Sequence, residues 1–434
     1  MRNSSFHLIL AIVCGGLLVW PALGDVPAAK VDTSPRAAGG NDWPQWRGPN
    51  RDNVSTETGL LKQWPRGGPP LAWEAKGLGE GFSSVSVANG RIYTIGYIKG
   101  AAYAIALDMS GKRQWASKLG SGEVDHPGPR STPTVDGDRV YAMDEVGNLA
   151  CLQTADGKQL WHVNLQRDLG GEVMSHWGFA ESPLVDGDKL ICTPGGNQGT
   201  VAALDKMSGK VLWRTSKLTD PCGYSSLVPA EIGGTHQYVV LTGSHVAGID
   251  PQGKVLWQAN RHGQTAVIPT PIVHNDLVFV TSGYGIGCNC FQISGSGTSF
   301  SAKELYANKA LVCHHGGAVL VGDYVYGVSD VRTLVCLELK TGKIMWKDQS
   351  IWKDANAGSK GSLTYADGNL YVRGEAGDGT VALVQATPKG YQELGRFNQP
   401  DRSSQNSWAH PVVADGKLYL RDQDVLLCYN VKAK

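Results

Sequence analysis

Charge is scarce in this chain, and no segment carries a run of like charge. Only 18% of the 434 residues are Asp, Glu, Lys or Arg, and the formal net charge is +1. A basic patch or stripe is the footprint of a nucleic-acid partner, and none is present. Low charge combined with 41% apolar residues also argues against a disordered chain. The sequence therefore predicts a folded protein that does not bind nucleic acid.

Long apolar runs are also missing, with one exception at the N-terminus. Residues 6–20 are apolar apart from His7, Arg2 precedes them, and small residues follow at positions 22 and 24, the −3 and −1 positions of a cleavage site before Asp25. This order is typical of a secretion signal, and the run is shorter than the roughly 20 residues of a membrane span. We expect residues 1–24 to be a signal peptide and 25–42 a flexible lead-in. The product would be periplasmic or secreted, with no membrane span after cleavage.

Glycine, by contrast, is abundant, with 56 residues, and part of it belongs to a repeat. Residues 201–213 predict a strand that ends at Asp205, a turn at Ser208-Gly209 and a strand toward Trp213. Weaker copies begin at Cys290, Ala382 and Cys428, with Leu305 and Leu394 at the Trp position of the first two. Clear copies, all with four residues from Gly to Trp, lie at 103–115, 149–161, 246–257 and 334–346.

A second pattern lies between these copies and predicts β-hairpins. Apolar alternation flanks a Gly or Asp-Gly turn, as at residues 132–141 around Gly137. Eight such turns recur 42 to 50 residues apart, near Gly90, Gly137, Gly187, Gly233, Asn275, Gly322, Gly368 and Gly416. A regular repeat of this length indicates a repeat architecture. The two patterns together give eight four-stranded units, of which the last lacks one strand.

The missing strand is predicted at the other end of the chain. Residues 71–74 form an isolated Trp-bearing strand before the first hairpin. Pairing it with the C-terminal unit would close a ring and leave no open sheet edge. The fold class is therefore all-β: an eight-bladed β-propeller of four-stranded antiparallel blades, in one domain over residues 43–434.

One position in the third strand of every unit is small. We infer that an indole, or a leucine in two blades, packs over this position from a neighbouring blade, because a larger residue would overpack the interface. The eight residues are Ala106, Cys151, Ala203, Gly248, Cys290, Cys336, Ala382 and Cys428.

The repeat resembles that of the pyrroloquinoline quinone (PQQ) propellers, which carry Ala-x-Asp-x-x-Thr-Gly-x-x-x-Trp. Residues 337–346, Leu-Glu-Leu-Lys-Thr-Gly-Lys-Ile-Met-Trp, are close to it, and the opening Trp43-Pro-Gln-Trp46-Arg-Gly-Pro-Asn looks like the lead-in of bacterial PQQ-like propellers. The resemblance covers about residues 43–431. It implies the eight-bladed fold of the quinoprotein alcohol dehydrogenase-like family.

This fold carries two functions, and the fold alone does not choose between them. One branch holds the quinoprotein alcohol dehydrogenases, which bind PQQ and calcium. The other is non-enzymatic, exemplified by the propeller lipoprotein of the barrel-assembly machinery, and the compact chain is similar to that. No two cysteines are adjacent and no Cys-x-x-Cys-His site exists. We expect a monomeric binding or scaffold protein for a protein, glycan or small molecule, with no cofactor assigned. The alternative is a PQQ- and calcium-dependent alcohol dehydrogenase.

Loops that lead from the outer strand of one blade to the inner strand of the next ring one mouth of a propeller. Six of the eleven histidines lie in these loops. Converging polar and aromatic groups on a rigid scaffold are a default binding site. The predicted ligand-binding residues are Glu80, His126, Arg130, His176, Trp177, Glu181, Tyr224, His262, His314, His315, Lys360, Trp408 and His410.

For the dehydrogenase alternative, the resemblance implies roles for some of these residues. Asp125 or Glu181 would be catalytic candidates, with Glu181 also a calcium ligand. Arg130 or Lys360 would be the cation at the quinone oxygen, and Trp177 or Trp408 would stack on the cofactor.

No transition-metal site is predicted from the histidines. Adjacent residues of a strand point to opposite faces, so we expect that His314 and His315 do not both face the channel. Among the cysteines outside the small positions, Cys288 and Cys313 are the pair that an oxidising compartment would link.

Overall fold

The computed structural model describes residue 1 and residues 42–433, apart from residues 123, 127, 331, 353–359 and 376–378. The predicted signal peptide and lead-in therefore lie almost entirely outside the described residues. Strands dominate the described part, together with one 3-10 helix at Ser350–Trp352. No described helix has the length and apolar character needed to cross a membrane.

The strands of the first half of the chain are β1 (Val54–Ser55), β2 (Leu71–Ala75), β3 (Ser86–Ala88), β4 (Arg91–Ile98), β5 (Ala101–Asp108), β6 (Arg113–Gly120), β7 (Thr134–Asp136), β8 (Arg139–Met143), β9 (Asn148–Gln153), β10 (Gln159–Asn164), β11 (Leu184–Asp186), β12 (Lys189–Cys192), β13 (Ala202–Asp205), β14 (Val211–Arg214), β15 (Val228–Ile232), β16 (Thr235–Leu241), β17 (His245–Ile249) and β18 (Val255–Asn260). Those of the second half are β19 (Ile272–His274), β20 (Leu277–Ser282), β21 (Gly287–Ser296), β22 (Ser299–Asn308), β23 (Ala318–Val321), β24 (Tyr324–Ser329), β25 (Thr333–Glu338), β26 (Ile344–Asp348), β27 (Gly361–Ala366), β28 (Asn369–Gly374), β29 (Thr380–Gln385), β30 (Glu393–Asn398), β31 (Val412–Ala414), β32 (Lys417–Asp422) and β33 (Val425–Asn430).

From β3 onward, each run of four consecutive strands forms one antiparallel sheet, the first strand of each run lying innermost. Blades 1 to 7 are β3–β6, β7–β10, β11–β14, β15–β18, β19–β22, β23–β26 and β27–β30. Blade 8 contains β31–β33, and its outer strand is β2. The eight-bladed propeller and the predicted hairpins are confirmed.

Ring closure is confirmed in detail. Strand β2 pairs antiparallel with β33, with Trp73 opposite Cys428. Arg421 of blade 8 reinforces the junction, because its buried guanidinium donates hydrogen bonds to the carbonyls of Ser83 and Ile95 in blade 1, at 3.3 and 2.5 Å. Closure thus combines a shared sheet with a polar contact between the first and last blades, and it leaves no open edge at the junction.

The small position of each blade lies between two larger side chains, but the expected source of its indole was wrong. Trp161 lies directly opposite Cys151 on the outer strand of the same blade, and Tyr141 flanks Cys151 on the inner side. Trp also lies opposite the small residue in the other Trp-bearing blades, and the inner neighbour is Tyr in blades 1, 6 and 8 but Ile191 in blade 3 and Val239 in blade 4. The predicted leucines were also wrong: Tyr306 lies opposite Cys290 and Arg396 opposite Ala382. A register shift between neighbouring pairs leaves Leu305 and Leu394 unpaired at a bulge.

The indole of one blade nevertheless touches the next blade, at its turn glycine. Trp161 Nε1 donates to Lys206 O of blade 3 at 3.0 Å. A Cβ on Gly209 would lie 2.8 Å from the Trp161 ring, and Gly209 has a φ of +74°. Glycine is needed here for both backbone conformation and close approach. The Gly and the Trp of one repeat therefore contact different neighbouring blades. The Trp packs on the turn glycine of the next blade, and the Gly is contacted by the Trp of the preceding blade.

Residues 43–55, here called the plug segment, occupy the channel. Strand β1 in this segment adds in parallel to β27, making blade 7 five-stranded. Hydrogen bonds from the segment reach seven of the eight blades, at Val87, Val135, Ser182, Thr270, Ala318, Leu363 and Val413. The channel is therefore blocked rather than open.

The plug segment keeps an unusual backbone. Arg47, Arg51 and Asn53 have φ values of 61°, 58° and 66°, a left-handed conformation that non-glycine residues seldom adopt. Long-range hydrogen bonds hold it: Arg47 donates to Ala318 O and Arg51 to Ser182 O, both at 2.5 Å. The segment separates a cavity on the loop side from a depression of about 500 Å³ on the hairpin-turn side.

Candidate functional site

The cavity on the loop side has a volume of about 310 Å³, and Trp46 of the plug segment forms part of its floor. Small-molecule sites are concave and span roughly 300–1,000 Å³, so the cavity matches a ligand of modest size. Nine of the thirteen predicted residues line it: His126, Arg130, Trp177, Tyr224, His314, His315, Lys360, Trp408 and His410.

The other four predicted residues lie elsewhere. Glu80 is exposed and forms a bridge to Tyr97 beside a separate surface groove. His262 is exposed, and His176 stands at the rim next to Trp177 with a ring distance of 4.6 Å. Glu181 is fully buried outside the cavity wall, where it accepts a hydrogen bond from Thr193 N.

Aromatic rings form most of the wall. Phe82 and Trp408 are in contact with ring centroids 4.2 Å apart, and His315 lies 6.0 Å from Trp408. On another side, Trp177 and Tyr224 lie 6.1 Å apart. Such faces offer apolar area with fixed orientation. The wall therefore suits a ligand with a flat or apolar face.

Three histidines of the wall are buried and neutral. Burial lowers the pKa of His314, His315 and His410 to about 3, and the charge of Lys360 contributes for the first two. His314 and His315 both line the cavity, so the expectation that they could not share it was wrong. The reason is local: residues 314–316 form a bend rather than a strand, and strand alternation does not apply.

The tautomer of His410 follows from its partner. His410 Nε2 lies 3.1 Å from His315 O, and a carbonyl only accepts, so Nε2 carries the proton. In a neutral ring Nδ1 is then an acceptor, and it is buried without a partner within the protein. Both ring nitrogens of His315 are also buried and unpartnered. Buried polar groups normally have partners, so these atoms are available to a ligand.

Two cations line the same cavity. The guanidinium of Arg130 lies 5.7 Å from the Phe82 ring centroid and donates to the carbonyls of Asp125 and His126 at 2.7 Å. Burial lowers the pKa of Arg130 to about 10, which leaves it charged at neutral pH. Lys360 precedes β27 and is half-buried. The site is therefore positively charged.

Carboxylates are absent from the described residues that line this cavity. Glu375 is buried behind Trp408, whose Nε1 donates to it at 2.5 Å, and Asp330 accepts from Tyr284 N at 3.1 Å. Asp125 is exposed and pairs with His176 at 3.3 Å. Since calcium takes oxygen ligands, chiefly carboxylates, the residues present do not fit the calcium that accompanies PQQ.

Glu181, the predicted calcium ligand, is buried and does not line the cavity, although its neighbours Ala180 and Ser182 do. It faces Arg51 of the plug segment, and burial raises its pKa to about 7. Arg51 in turn donates to the carbonyls of Ser182 and Pro183. The role of Glu181 is therefore tied to the plug. Across the described ranges, no group of three His, Cys, Asp or Glu side chains could hold a metal ion.

The predicted disulfide does not form in this structure, in which the eight described cysteines are all free thiols. Cys288 donates to Asn308 Oδ1 at 3.2 Å and Cys313 to Gly317 O at 3.3 Å. Both thiols are buried in the same apolar cluster, and each has its own acceptor.

Sequence reasoning missed several lining residues. Trp46 was recognised only as part of a lead-in, and Tyr284 lies in the turn between β20 and β21 rather than in a loop between blades. Ser182 and Ser226 were hidden in the inner-strand pattern, where the Ser226 hydroxyl accepts from Ser182 N at 2.9 Å. Of these residues, only the Ser that recurs at the start of the inner strands could have been recognised from the sequence as lining the cavity.

Comparison with known proteins gives one family. Residues 99–348, and again 298–387, match the family model described as "Outer membrane protein assembly factor BamB". BamB of Burkholderia pseudomallei (strain K96243) is 28% identical over 201 residues, 44% of this chain and 46% of the relative. BamB of Shewanella oneidensis is 23% identical over 248 residues, 54% of this chain and 60% of the relative. The chain thus spans about half the length of the curated relatives it matches.

Solved structures share the fold. The crystal structure of BamB from Moraxella catarrhalis has a TM-score of 0.58 at 16% identity, covering 84% of this chain and 98% of that one. Quinohemoprotein alcohol dehydrogenase from Comamonas testosteroni has a TM-score of 0.64 at 14% identity, covering 92% and 82%. At these identities both likenesses concern the propeller fold.

Proposed function

This chain belongs to the family described as outer membrane protein assembly factor BamB, and we propose that it is an exported, monomeric propeller that binds a ligand in its loop-side cavity. The family is one of propeller scaffold and binding proteins. A periplasmic or secreted location and a role in the cell envelope are part of the proposal. The curated relatives, named as outer membrane protein assembly factors, support that setting.

The observation that carries the proposal is the set of unpartnered polar atoms inside the aromatic cavity. His315 and His410 present these atoms while being at least nine-tenths buried. Each buried donor or acceptor that has no hydrogen-bond partner costs about 1–3 kcal/mol of folding free energy. A ligand that completes these hydrogen bonds would recover that cost. The arrangement therefore supports a binding site over a merely structural loop cluster.

A dehydrogenase function is not favoured. The calcium that accompanies PQQ needs carboxylates, and the described cavity wall offers none. The likeness to the alcohol dehydrogenase concerns the fold, which hosts unrelated functions. Adding PQQ and calcium to the purified protein and assaying dye-linked alcohol oxidation should give no dye reduction. Turnover in that assay would replace the binding proposal with an enzymatic one.

The binding proposal is tested by thermal denaturation in the presence of four classes of small molecule: neutral sugars, sugar acids, aromatic acids and short peptides. At 100 times its Kd a ligand stabilises the folded state by about 2.7 kcal/mol. At least one class should raise the Tm of the wild type, and Trp177→Ala should lose that shift. Trp177 is half-buried in the cavity wall, so its truncation leaves the blade cores intact.

The matched control is His262→Ala, a loop residue that is exposed and outside the cavity. This variant should keep the full shift in Tm. Equal shifts in the wild type and in Trp177→Ala would move binding to the rim of the blades. No shift with any class would remove the cavity as a binding site.

A further inference from the structure

The charge of the cavity selects against one class of ligand. Arg130 and Lys360 both line it, from blades 2 and 7, and no described carboxylate shares the wall with them. Among the described residues the Lys360 ammonium has no hydrogen-bond or ion-pair partner, although the backbone carbonyl of Lys360 accepts from Glu375 N at 3.0 Å. Glu375 and Asp330 lie near Lys360 behind the wall. Burial raises the pKa of both acids, and each interacts electrostatically with Lys360 from outside the cavity. A cationic ligand is disfavoured and an anionic one is favoured.

Arg130 has donors left for such an anion. Its Nη2 donates to Asp125 O and His126 O, and its Nη1 donates to Gly128 O at 3.2 Å. A guanidinium carries five N–H groups, so Nε and one hydrogen of Nη1 remain. Hydrogen bonds between a charged donor and a carboxylate are about twice as strong as neutral ones. Arg130 and Lys360 together therefore suit one acidic group.

The histidines require something that a simple carboxylate lacks. His410 Nδ1 is an acceptor, as its other nitrogen donates to His315 O. Neutral His315 has one donor and one acceptor, both unpartnered. A carboxylate only accepts, so it satisfies neither acceptor nitrogen. The ligand must also bring O–H or N–H donors, and the cations of the wall exclude an ammonium. Hydroxyl groups meet the requirement, since each both donates and accepts.

Shape gives the third condition. Rings on several sides, among them Trp46, Trp177 and Trp408, enclose about 310 Å³. The flat faces of tryptophan match a ring with an apolar face, and the volume limits the ligand to one or two rings. Polar groups would then project from the edge of that ring toward the histidines and Tyr224.

We propose that the loop-side cavity binds an acidic sugar, a pyranose ring that carries a carboxylate, either free or at the end of an acidic polysaccharide. This rests on the proposed function of the same cavity and names its ligand class. The carboxylate lies between Arg130 and Lys360, the hydroxyls bond to His315, His410 and Tyr224, and the ring face packs on tryptophan.

The test is isothermal titration of the full chain with D-galacturonate, D-galactose, benzoate and a trigalacturonate. Galactose is the same ring without the carboxylate, and benzoate is an acid without hydroxyls. Galacturonate should bind at least about 10-fold more tightly than either, because each loses hydrogen bonds that involve charged or buried groups. Tighter binding of the trisaccharide assigns the site to a polysaccharide end, and equal or weaker binding to a free sugar acid.

Lys360→Gln tests the charge without disturbing packing, since the ammonium has no described partner. It should weaken galacturonate binding by about 10- to 100-fold and leave galactose binding unchanged. Lys158→Gln, an exposed lysine on a turn of blade 2, is the matched control and should change neither.

Three results would overturn the acidic-sugar proposal. Galactose or benzoate could bind as tightly as galacturonate, Lys360→Gln could leave galacturonate binding unchanged, or no sugar acid could bind. If another class of molecule then binds in a Trp177-dependent manner, the binding function stands and only the ligand class is wrong. If no molecule binds, both the proposed binding function and the acidic-sugar proposal are wrong.

Discussion

The pH dependence of folding stability should change when His410 is replaced by glutamine. His410 is 3% exposed, and burial lowers its pKa from 6.5 to about 3. The folded chain therefore keeps this ring neutral at pH values where the unfolded chain protonates it. Stability from this residue is complete above pH 6.5 and is lost as the pH falls toward 3, because the unfolded state then binds the extra proton.

The magnitude follows from the two pKa values. One pKa unit corresponds to about 1.36 kcal/mol, and pH 5 lies about 1.5 units below the unfolded pKa. The wild type should therefore lose about 2 kcal/mol through His410 between pH 7.5 and pH 5.0. His410→Gln removes the titration while offering an N–H to the carbonyl of His315. Any cost from the lost ring contact with Trp46 is the same at both pH values.

Urea unfolding followed by tryptophan fluorescence, at both pH values and for both proteins, gives the comparison. The stability lost on acidification should be about 2 kcal/mol smaller in the variant. Glu181 acts in the opposite direction: its raised pKa, about 7, makes stability rise as the pH falls below 7. That contribution is common to both proteins and cancels. Equal losses, within about 0.5 kcal/mol, would show that His410 is not held neutral by burial.

Three further outcomes are expected. Gly209→Ala should lower the free energy of unfolding by about 1–3 kcal/mol more than Gly187→Ala. Both glycines have a positive φ, but only a Cβ at Gly209 would meet an indole, that of Trp161. Equal losses in urea unfolding would contradict the packing of each indole on the next blade. Arg421→Met should cost roughly 2–6 kcal/mol, because it leaves the buried carbonyls of Ser83 and Ile95 at the ring junction without a donor, at about 1–3 kcal/mol each. A loss below about 1 kcal/mol in urea unfolding would mean that β2 alone closes the ring. The denatured protein should give the same thiol titre before and after reduction, whereas a gain of two thiols on reduction would reveal a disulfide such as that considered for Cys288.

Most of the fold could be predicted because each blade is specified by local signals. Turn glycines, alternating strands and the Gly-to-Trp spacing recur within about one repeat, and the orphan strand at Trp73 pairs where closure requires it. The β-bulges could not be predicted from these local signals. Whether Tyr306 or Leu305 lies opposite Cys290 depends on a one-residue shift of register, which the spacing of apolar residues does not encode.

For the candidate site, the sequence identified the loops and most of their reactive residues but not their depth. His315 lines the cavity since its segment bends, and Glu181 is buried and does not line the cavity although it occupies an equivalent loop. Loop residues lack a regular period, so no pattern predicts which way their side chains point.

By itself the sequence determined the number of blades, their strand order and the strand that closes the ring, because these depend on hydrogen-bond register and turn chemistry within neighbouring residues. Only the tertiary structure decided that the channel is blocked. The plug segment, with Trp46, Arg47 and Arg51, is held by hydrogen bonds to seven blades far apart in the chain. Such contacts have no fixed sequence spacing. They block the channel and leave, on the loop side, an open cavity with unpartnered polar atoms in its wall.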